Sequence, residues 1–306
     1  MPDNHVPPHN QIVAVTFTSA LFIGIYFSTF IQSLGGLLFT HSAWELRQAR
    51  LIQWPILVAS LSVFALLVIG HGIQLKYWMD EVLTAPAALH VISWIDVALC
   101  TNSNLIALIT DAVLIFRLWK VYNNSYRIVV LPLVLWVGGL VLSALQIYLQ
   151  EVRVTRFRVW LPVNVDMGPG IILTPFWAST IILNIYATSM IIYRLLRFKQ
   201  ESVFGGATRT IDFATSLIIE SGSLYLIPAI SHFVVWWTPN NFAINVLGNI
   251  NAPILGIVFN LIIIKIAKHR AQEEGTSMRV TEIQFQHENT VKTEDNGDTQ
   301  SSEQNV

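Results

Sequence analysis

The sequence is poor in charged residues and has almost no cysteine. Asp, Glu, Lys and Arg make up 12% of the 306 residues, whereas hydrophobic residues make up 53%. A water-soluble domain of this length does not keep so much apolar surface away from water. The single cysteine, Cys100, has no second cysteine to pair with, so the chain forms no internal disulfide. These shortages exclude an ordinary soluble enzyme and a disulfide-stabilised secreted domain.

Long apolar runs fill most of the chain. A helix needs about 20 predominantly apolar residues to cross the hydrocarbon core of a bilayer. Seven segments meet that length, at roughly 12–40, 52–75, 87–116, 128–149, 171–193, 213–237 and 242–264. The pattern predicts an all-α fold, in which a polytopic membrane protein forms a seven-transmembrane helix bundle.

The lysines and arginines lie mainly in alternate connections between these segments. Fourteen of the eighteen fall on one side, counting the C-terminal region, and four fall on the other. Positive residues in short loops are retained in the cytoplasm. The N-terminus is therefore predicted to lie outside and the C-terminus in the cytoplasm, in the plasma membrane or another membrane of the secretory pathway.

The chain is predicted to have three parts. An extracellular arm covers 1–11, the seven-helix transmembrane domain covers 12–266, and a cytoplasmic tail covers 267–306. The tail is rich in Ser and Thr, and after position 270 it holds eight acids against two basic residues. Such a composition buries too little apolar surface to offset the entropy lost on ordering, so the tail is predicted to be disordered.

Polar and ionisable residues inside the apolar segments are costly in lipid, so they are candidates for a functional role. In the inner half of the bundle they form a layer at broadly similar depth: Asp111, Arg117, Asn184, Glu220 and Asn260. We expect Asp111 and Glu220 to be bonded to Arg117, to Asn184 or to each other. The layer is interpreted either as a hydrogen-bonded switch or proton-accepting site, or as polar contacts that hold helices together.

A second group of polar residues lies in the outer half: His71, His90, Asp96 and His232. Three imidazoles and a carboxylate could bind zinc. However, no two of these histidines have the i, i+4 spacing that places two ligands on one helix, so no metal is predicted. A pH-sensing role stays open, because histidine titrates near neutral pH.

The outer connection between the fourth and fifth segments holds the cluster Arg153, Arg156 and Arg158. These arginines are interpreted as side chains that reach the outer headgroup level. The alternative is a contact with an anionic ligand or lipid headgroup.

Two prolines, Pro228 and Pro253, lie near the middle of the sixth and seventh segments. Each removes a backbone donor and is expected to kink its helix. Asn249 and Asn251 are close enough in sequence to bond the carbonyl that Pro253 leaves free. Kinked helices suit a moving bundle, although prolines are also ordinary in membrane helices.

Four stretches resemble a large family of seven-span fungal proteins, abundant in mushroom-forming fungi, that has no established activity. They are Asp111–Trp119, Pro175–Arg194 with Asn184, Ile218–Tyr225 and Asn251–Val258. The resemblance covers roughly 90–270. It implies a seven-helix integral membrane protein and singles out four residues of the inner layer, namely Asp111, Arg117, Asn184 and Glu220.

Other seven-span families fit less well. A retinal protein would need a lysine in the middle of the seventh segment, whereas Lys265 lies at its inner end. A receptor of the common G-protein-coupled class would have Asp/Glu-Arg-Tyr after the third segment, where this chain has Phe116-Arg117-Leu118. No cofactor is therefore expected, and the shared topology is an analogy at the level of the fold.

Three classes of function are open. A receptor or sensor, with an unknown small-molecule ligand and a cytoplasmic signalling protein as partners, fits the predicted topology and the basic inner loops. A proton-coupled transporter or channel for small solutes fits the intramembrane acids. An intramembrane enzyme would use a buried carboxyl such as Asp111 or Glu220 as a general acid. The bilayer itself is the expected surrounding, and no nucleic-acid partner is expected.

The charge asymmetry yields a test of topology. An epitope tag at the N-terminus should bind antibody on intact cells, whereas a tag after Val306 should bind only after permeabilisation, because basic loops stay in the cytoplasm. Antibody binding to the C-terminal tag on intact cells would contradict the predicted orientation.

Overall fold

A computed structural model of the chain describes the backbone of residues 9–39, 48, 53–83, 94–152, 169–201, 205–237 and 241–302. Within these ranges it describes all side chains except those at 9, 77, 78, 80–83, 96, 149–152, 169–171, 201, 205–210, 241 and 273–302. Seven α-helices follow one another in the described chain: α1 (His9–Leu38), α2 (Trp54–Leu83), α3 (Trp94–Val121), α4 (Tyr126–Val152), α5 (Pro169–Glu201), α6 (Gly205–Val235) and α7 (Asn241–Ser302).

The prediction of seven spanning helices is confirmed. Each helix contains a stretch long and apolar enough to cross a membrane, from 23 to 31 residues in length. Large apolar side chains such as Phe17, Ile31 and Ile227 point out of the bundle and are 65–71% exposed. So extensive an apolar exterior is compatible with lipid rather than with water.

The helices form a closed ring. Each helix packs against the next one in the chain, and α7 closes the ring by packing against α1. Four helices make additional contacts across the ring, since α3 also contacts α5 and α7, and α2 also contacts α7. Helix α6 packs against α5 and α7 and against no other helix in the described part of the chain.

The tight turn between α3 and α4 shows how the sequence sets an antiparallel pair. Asn123 and Asn124 adopt left-handed backbone conformations, with φ of 52° and 63°. Asparagine tolerates this region better than most residues and often ends a helix. The amide of Asn124 donates to the carbonyl of Trp119 at 2.9 Å, which satisfies a carbonyl in the last turn of α3. Because so short a connection reverses the chain at once, α3 and α4 are direct neighbours.

The close contact between α1 and α7 depends on Gly256. Tyr26 of α1 is 1% exposed and stacks on Phe30, with ring centroids 6.0 Å apart. A Cβ atom at position 256 would lie 2.6 Å from Cε2 of Tyr26 and 2.8 Å from Cδ1 of Leu67. Glycine therefore lets the backbone of α7 approach α1 and α2, as small residues do at membrane helix interfaces.

Helix α7 extends well beyond its spanning stretch. The apolar run ends before Lys265, and the helix continues to Ser302 through the segment for which the sequence predicts disorder. No proline follows Pro253, and extending an existing helix avoids the cost of nucleating a new one. The side chains from 273 onward lie outside the described residues, so the solvated, acidic character of the tail stays a prediction.

The packing at Gly256 predicts opposite results for two glycine substitutions. In open space, Gly→Ala stabilises a helix by about 1 kcal/mol. Gly24 has open space around it, so Gly24→Ala should raise or preserve the thermal stability of the purified protein. Gly256→Ala should lower the stability by about 1–3 kcal/mol, because the added methyl overpacks the core. Equal melting temperatures for the two variants would contradict the close α1–α7 contact.

Candidate functional site in the polar interior

The centre of the polar interior is a hydrogen bond between α3 and α5. Asp111 is 2% exposed and Asn184 is 7% exposed. The Nδ2 atom of Asn184 donates to Oδ1 of Asp111 at 2.8 Å, and it also donates to the carbonyl of Thr180 at 3.0 Å. The Thr180 hydroxyl is a further hydrogen-bond partner of the carboxylate. The expectation that Asp111 bonds Asn184 is confirmed.

The partners of Asp111 that the structure describes are neutral. Arg117 lies six residues further along α3, and its Nη2 atom is buried without a hydrogen-bond partner among the described residues. Val113, one turn before Arg117, packs against the cluster that contains Phe259 and Ile263 of α7. That cluster also holds Leu57 of α2, and residues at i and i+4 share a helix face, so Arg117 lies on the side of α3 towards α2 and α7, whereas Asp111 faces α5. Of the three partners that the sequence offered for Asp111, the described residues show Asn184 and not Arg117.

Helix α6 contributes an unpaired hydroxyl to this region. Tyr225 is 7% exposed, and its hydroxyl has no hydrogen-bond partner among the described residues. The ring lies close enough to Asp111 for an electrostatic interaction with the carboxylate. Buried hydroxyls are nearly always bonded, and the Tyr225 hydroxyl is one of ten buried polar side-chain atoms without a partner among the described residues.

Asn260 forms a separate contact between α7 and α1. Its Oδ1 atom accepts a hydrogen bond from the Ser33 hydroxyl at 3.2 Å, and its Nδ2 atom donates to Oγ1 of Thr29 at 3.3 Å. Ser33 and Asn260 are 0% and 1% exposed. Both the oxygen and the nitrogen of the Asn260 amide are hydrogen-bonded to residues of α1. The role of this side chain in the structure is therefore to hold two helices together.

Glu220 does not belong to the interior, and the expectation that it meets Asp111 is wrong. Its carboxylate pairs with the ammonium group of Lys265 on α7, and the two side chains are 51% and 34% exposed. The reason is the direction in which position 220 faces around the axis of α6. Glu220 shares an outward face of α6 with Ser216 and Ser223, whereas Tyr225 lies on the inward face.

The outer histidines lie in separate places. The Nδ1 atom of His71 is 3.4 Å from Oγ of Ser19, in a contact between α2 and α1. His232 is 3% exposed, accepts a hydrogen bond from Nε1 of Trp236 at 3.0 Å, and packs edge-on against Trp177 of α5. Helices α2 and α6 do not pack against each other within the described ranges.

Several predicted site residues have no described side chain. His90, Arg153, Arg156 and Arg158 lie outside the described residues, as does the side chain of Asp96. Among the side chains that the structure does describe, no group of three His, Cys, Asp or Glu residues could hold a metal ion.

The two prolines lie inside continuous helices. Helix α6 runs through Pro228 and α7 runs through Pro253. The Asn249 amide donates to the carbonyl of Asn245 at 2.8 Å. The amide nitrogen of Asn251 is buried with no partner in the described chain, so the expectation that it bonds the carbonyl freed by Pro253 is wrong. A kink at either proline stays a prediction.

Sequence reasoning missed a polar contact between α3 and α4. Nδ2 of Asn104 donates to Oε1 of Gln146 at 2.8 Å and lies 3.4 Å from Oγ of Ser143. Gln146 in turn donates to the sulfur of Cys100. The signal was present, because Asn104 and Gln146 are amides inside apolar spans, although neither is ionisable.

Near the C-terminal end of α5, Arg194 lies among aromatic rings. Its guanidinium carbon is 4.3 Å from the ring centre of Phe198 and 5.6 Å from that of Tyr122. The Tyr122 hydroxyl donates to the carbonyl of Met190 at 2.9 Å, which joins the end of α3 to α5. Burial raises the pKa of Tyr122, and Arg194 opposes that change, so the hydroxyl keeps its proton at neutral pH.

Comparison with known proteins yields no match to a family model, a curated protein or a solved structure. The resemblance to the fungal seven-span family therefore stays a prediction.

Proposed function

We propose that this chain is a receptor- or sensor-like heptahelical bundle, in which a rearrangement of α6 carries a signal to a cytoplasmic partner. The observation that carries the proposal is the setting of Asp111. Its carboxylate is buried in a membrane span, and its described partners are the neutral side chains of Asn184 and Thr180. An acid in this position is costly, and such groups are commonly retained in membrane proteins for function.

The unpaired hydroxyl of Tyr225 supports a second arrangement of the bundle. A buried hydroxyl without a partner costs about 1–3 kcal/mol. A small rotation or shift of α6 that brings Tyr225 into hydrogen-bond contact with Asp111 recovers part of that cost. Two packings that differ by a few kcal/mol are what a ligand needs in order to shift a population.

Helix α6 has the freedom that such a movement requires. In an apolar 18-residue window of α6, 17% of the residues are buried, compared with 50% in the corresponding window of α7. Like α1 and α4, it contacts only its two neighbours in the ring within the described residues, whereas α2, α3, α5 and α7 also make contacts across the ring. Elements with few buried contacts are those that move at low energetic cost.

Arg117 supports the proposal of a cytoplasmic partner. Its guanidinium group lies near the inner end of α3, on the predicted cytoplasmic side, with Nη2 unpartnered among the described residues. Guanidinium groups bind carboxylates and carbonyls in a fixed geometry. In this proposal a carbonyl or carboxylate of the signalling protein binds this group. The chain is also proposed to belong to the fungal seven-span family that its motifs resemble.

The test measures the distance between α3 and α6 by pulsed electron spin resonance in a Cys100→Ser background. Spin labels at Lys120→Cys and Asp212→Cys report on α6, and labels at Lys120→Cys and Lys268→Cys provide a reference against α7. Asn184→Leu should increase the fraction of molecules that show a second α3–α6 distance, because Asp111 loses an amide donor. Tyr225→Phe should decrease that fraction by about tenfold, because the substitution removes an unpaired hydroxyl whose burial costs the first arrangement about 1.4 kcal/mol.

The matched control is Tyr193→Phe, which removes a hydroxyl from a side chain that is 59% exposed and should leave both distances unchanged. Identical α3–α6 distances in the parent, Asn184→Leu and Tyr225→Phe proteins would contradict the proposal. Proton flux into vesicles that contain the parent protein, above that of protein-free vesicles and abolished by Asp111→Asn, would support a transporter instead.

A further inference from the structure

The turn between α3 and α4 carries two cations that have no acidic partner. Lys120, in the last turn of α3, and Arg127, in the first turn of α4, are both exposed. Within the described chain neither forms an ion pair or a side-chain hydrogen bond. By contrast, Lys199 of α5 pairs with Asp212 of α6 at 2.6 Å. The two charges beside the turn are therefore left for a group outside the chain to compensate.

The chain around this turn contains no acid that could take the place of such a group. The sequence between Asp111 and Glu151 has no Asp or Glu, so the C-terminal part of α3 and nearly all of α4 lack a carboxylate. Helix α5 packs against both helices, and its sequence contains no acid before its last residue. Lys120 and Arg127 therefore have no compensating carboxylate on their own helices.

Arg127 lies on the side of α4 that faces lipid. It shares that side with Val130, Leu131 and Val134, which are 55%, 49% and 63% exposed. Apolar side chains so exposed on a spanning helix contact acyl chains. A short turn that joins two spanning helices lies at a membrane surface, where Lys and Arg reach the headgroups. Arg127 is therefore placed where this apolar column meets the headgroups of one leaflet.

Aromatic rings connect the two cations. The ammonium group of Lys120 lies 4.6 Å from the centre of the Trp119 ring and 5.6 Å from that of Phe116. The ring centroid of Trp119 is 6.0 Å from that of Tyr126, the residue before Arg127, and Tyr126 is 72% exposed. Cation–π contacts of this kind hold an ammonium group against a ring, and Trp and Tyr are typical of the headgroup level. The turn therefore presents one continuous cationic and aromatic surface.

We propose that this surface binds an anionic phospholipid. The phosphate is held by Lys120 and Arg127 over the Trp119–Tyr126 pair, and an acyl chain lies along the lipid-facing side of α4. Guanidinium and ammonium groups are the side chains that bind phosphate in proteins, and basic residues next to a span attract anionic headgroups. A zwitterionic lipid fits less well, because its own cation repels the two basic side chains.

A lipid fits this surface better than an acidic segment of a partner protein does. Arg127 lies on the flank of α4, in line with side chains that contact acyl chains, whereas a soluble partner approaches from beyond the turn. A phospholipid joins a negative headgroup to an acyl chain, and the surface joins two cations to an apolar column in the same order. The lipid site does not depend on the receptor-like function proposed above, because it uses neither Asp111 nor Tyr225.

The test measures the local lipid preference of the full chain in a Cys100→Ser background. A bimane fluorophore on Val134→Cys, two turns from Arg127, is quenched by phospholipids with brominated acyl chains. In vesicles that contain phosphatidylglycerol and phosphatidylcholine, brominating one lipid and then the other gives their relative binding constant at this position. The parent should prefer phosphatidylglycerol by about 25-fold, because each basic residue near the membrane surface contributes about fivefold.

Charge variants assign the preference to the two cations. Lys120→Gln and Arg127→Gln should each lower the preference for phosphatidylglycerol by about fivefold. Arg127→Lys should retain most of it, because the charge is kept. The matched control is Lys199→Gln, which removes a cation that Asp212 already compensates and should leave the preference unchanged.

Four results would overturn the lipid site. The first is equal quenching by the two lipids in the parent, and the second is an unchanged preference in the double variant Lys120→Gln/Arg127→Gln. The third is a loss in Lys199→Gln as large as that in Arg127→Gln, which would assign the preference to the total charge of the bundle. The fourth is a preference that a poly-glutamate peptide abolishes in the parent, which would assign the surface to an acidic protein.

Discussion

Inside a bilayer a polar side chain has no water to bond, so it must find its partner on another helix or on its own backbone. This constraint accounts for much of the arrangement of the bundle. Asp111 with Asn184 joins α3 to α5, Asn260 with Ser33 joins α7 to α1, and Asn104 with Gln146 joins α3 to α4. Apolar packing alone would not fix these neighbours, because lipid tails are as apolar as the side chains that they replace. The polar pairs supply the specificity, and Gly256 allows the close approach on which the α1–α7 contact depends.

The same constraint makes the unpaired groups informative. The hydroxyl of Tyr225 and the Nη2 atom of Arg117 are buried and lack hydrogen-bond partners in the part of the chain that the structure describes. The Tyr225 hydroxyl interacts electrostatically with Asp111, and Arg117 lies near the C-terminal end of α3. A bundle held in a single arrangement has no need for such groups, because an apolar side chain of similar shape would cost less. Tyr225 belongs to α6, the least buried of the spanning helices, and this is the reason for assigning the proposed movement to α6.

The length of an apolar segment and the depth of a residue within it both follow from position along the chain. The sequence therefore predicted the helices and part of the interior. Seven spans follow from length, and Asp111 and Asn184 are both polar at similar depth on helices that pack together. Depth does not give the direction in which a side chain points. Glu220 was expected in the interior, but its phase relative to Ser216 and Ser223 places it on the outer surface. That phase was readable, because all three fall on one face at helical spacing. The partners of Asn260 could not be predicted, since Thr29 and Ser33 are hydroxyl residues of the kind that usually bond their own helix.

The central claim is that Asp111 is held by the neutral side chain of Asn184 across α3 and α5, and the most direct test is a double-mutant cycle. The free energy of unfolding in lipid would be measured for the parent, Asp111→Ala, Asn184→Ala and the double variant. A coupling energy of about 0.6–1.7 kcal/mol is predicted, within the range found for hydrogen bonds between membrane helices. The parallel cycle of Asp111→Ala with Glu220→Ala should give a coupling energy near zero. No coupling in the first cycle, or a larger coupling in the second, would contradict the account.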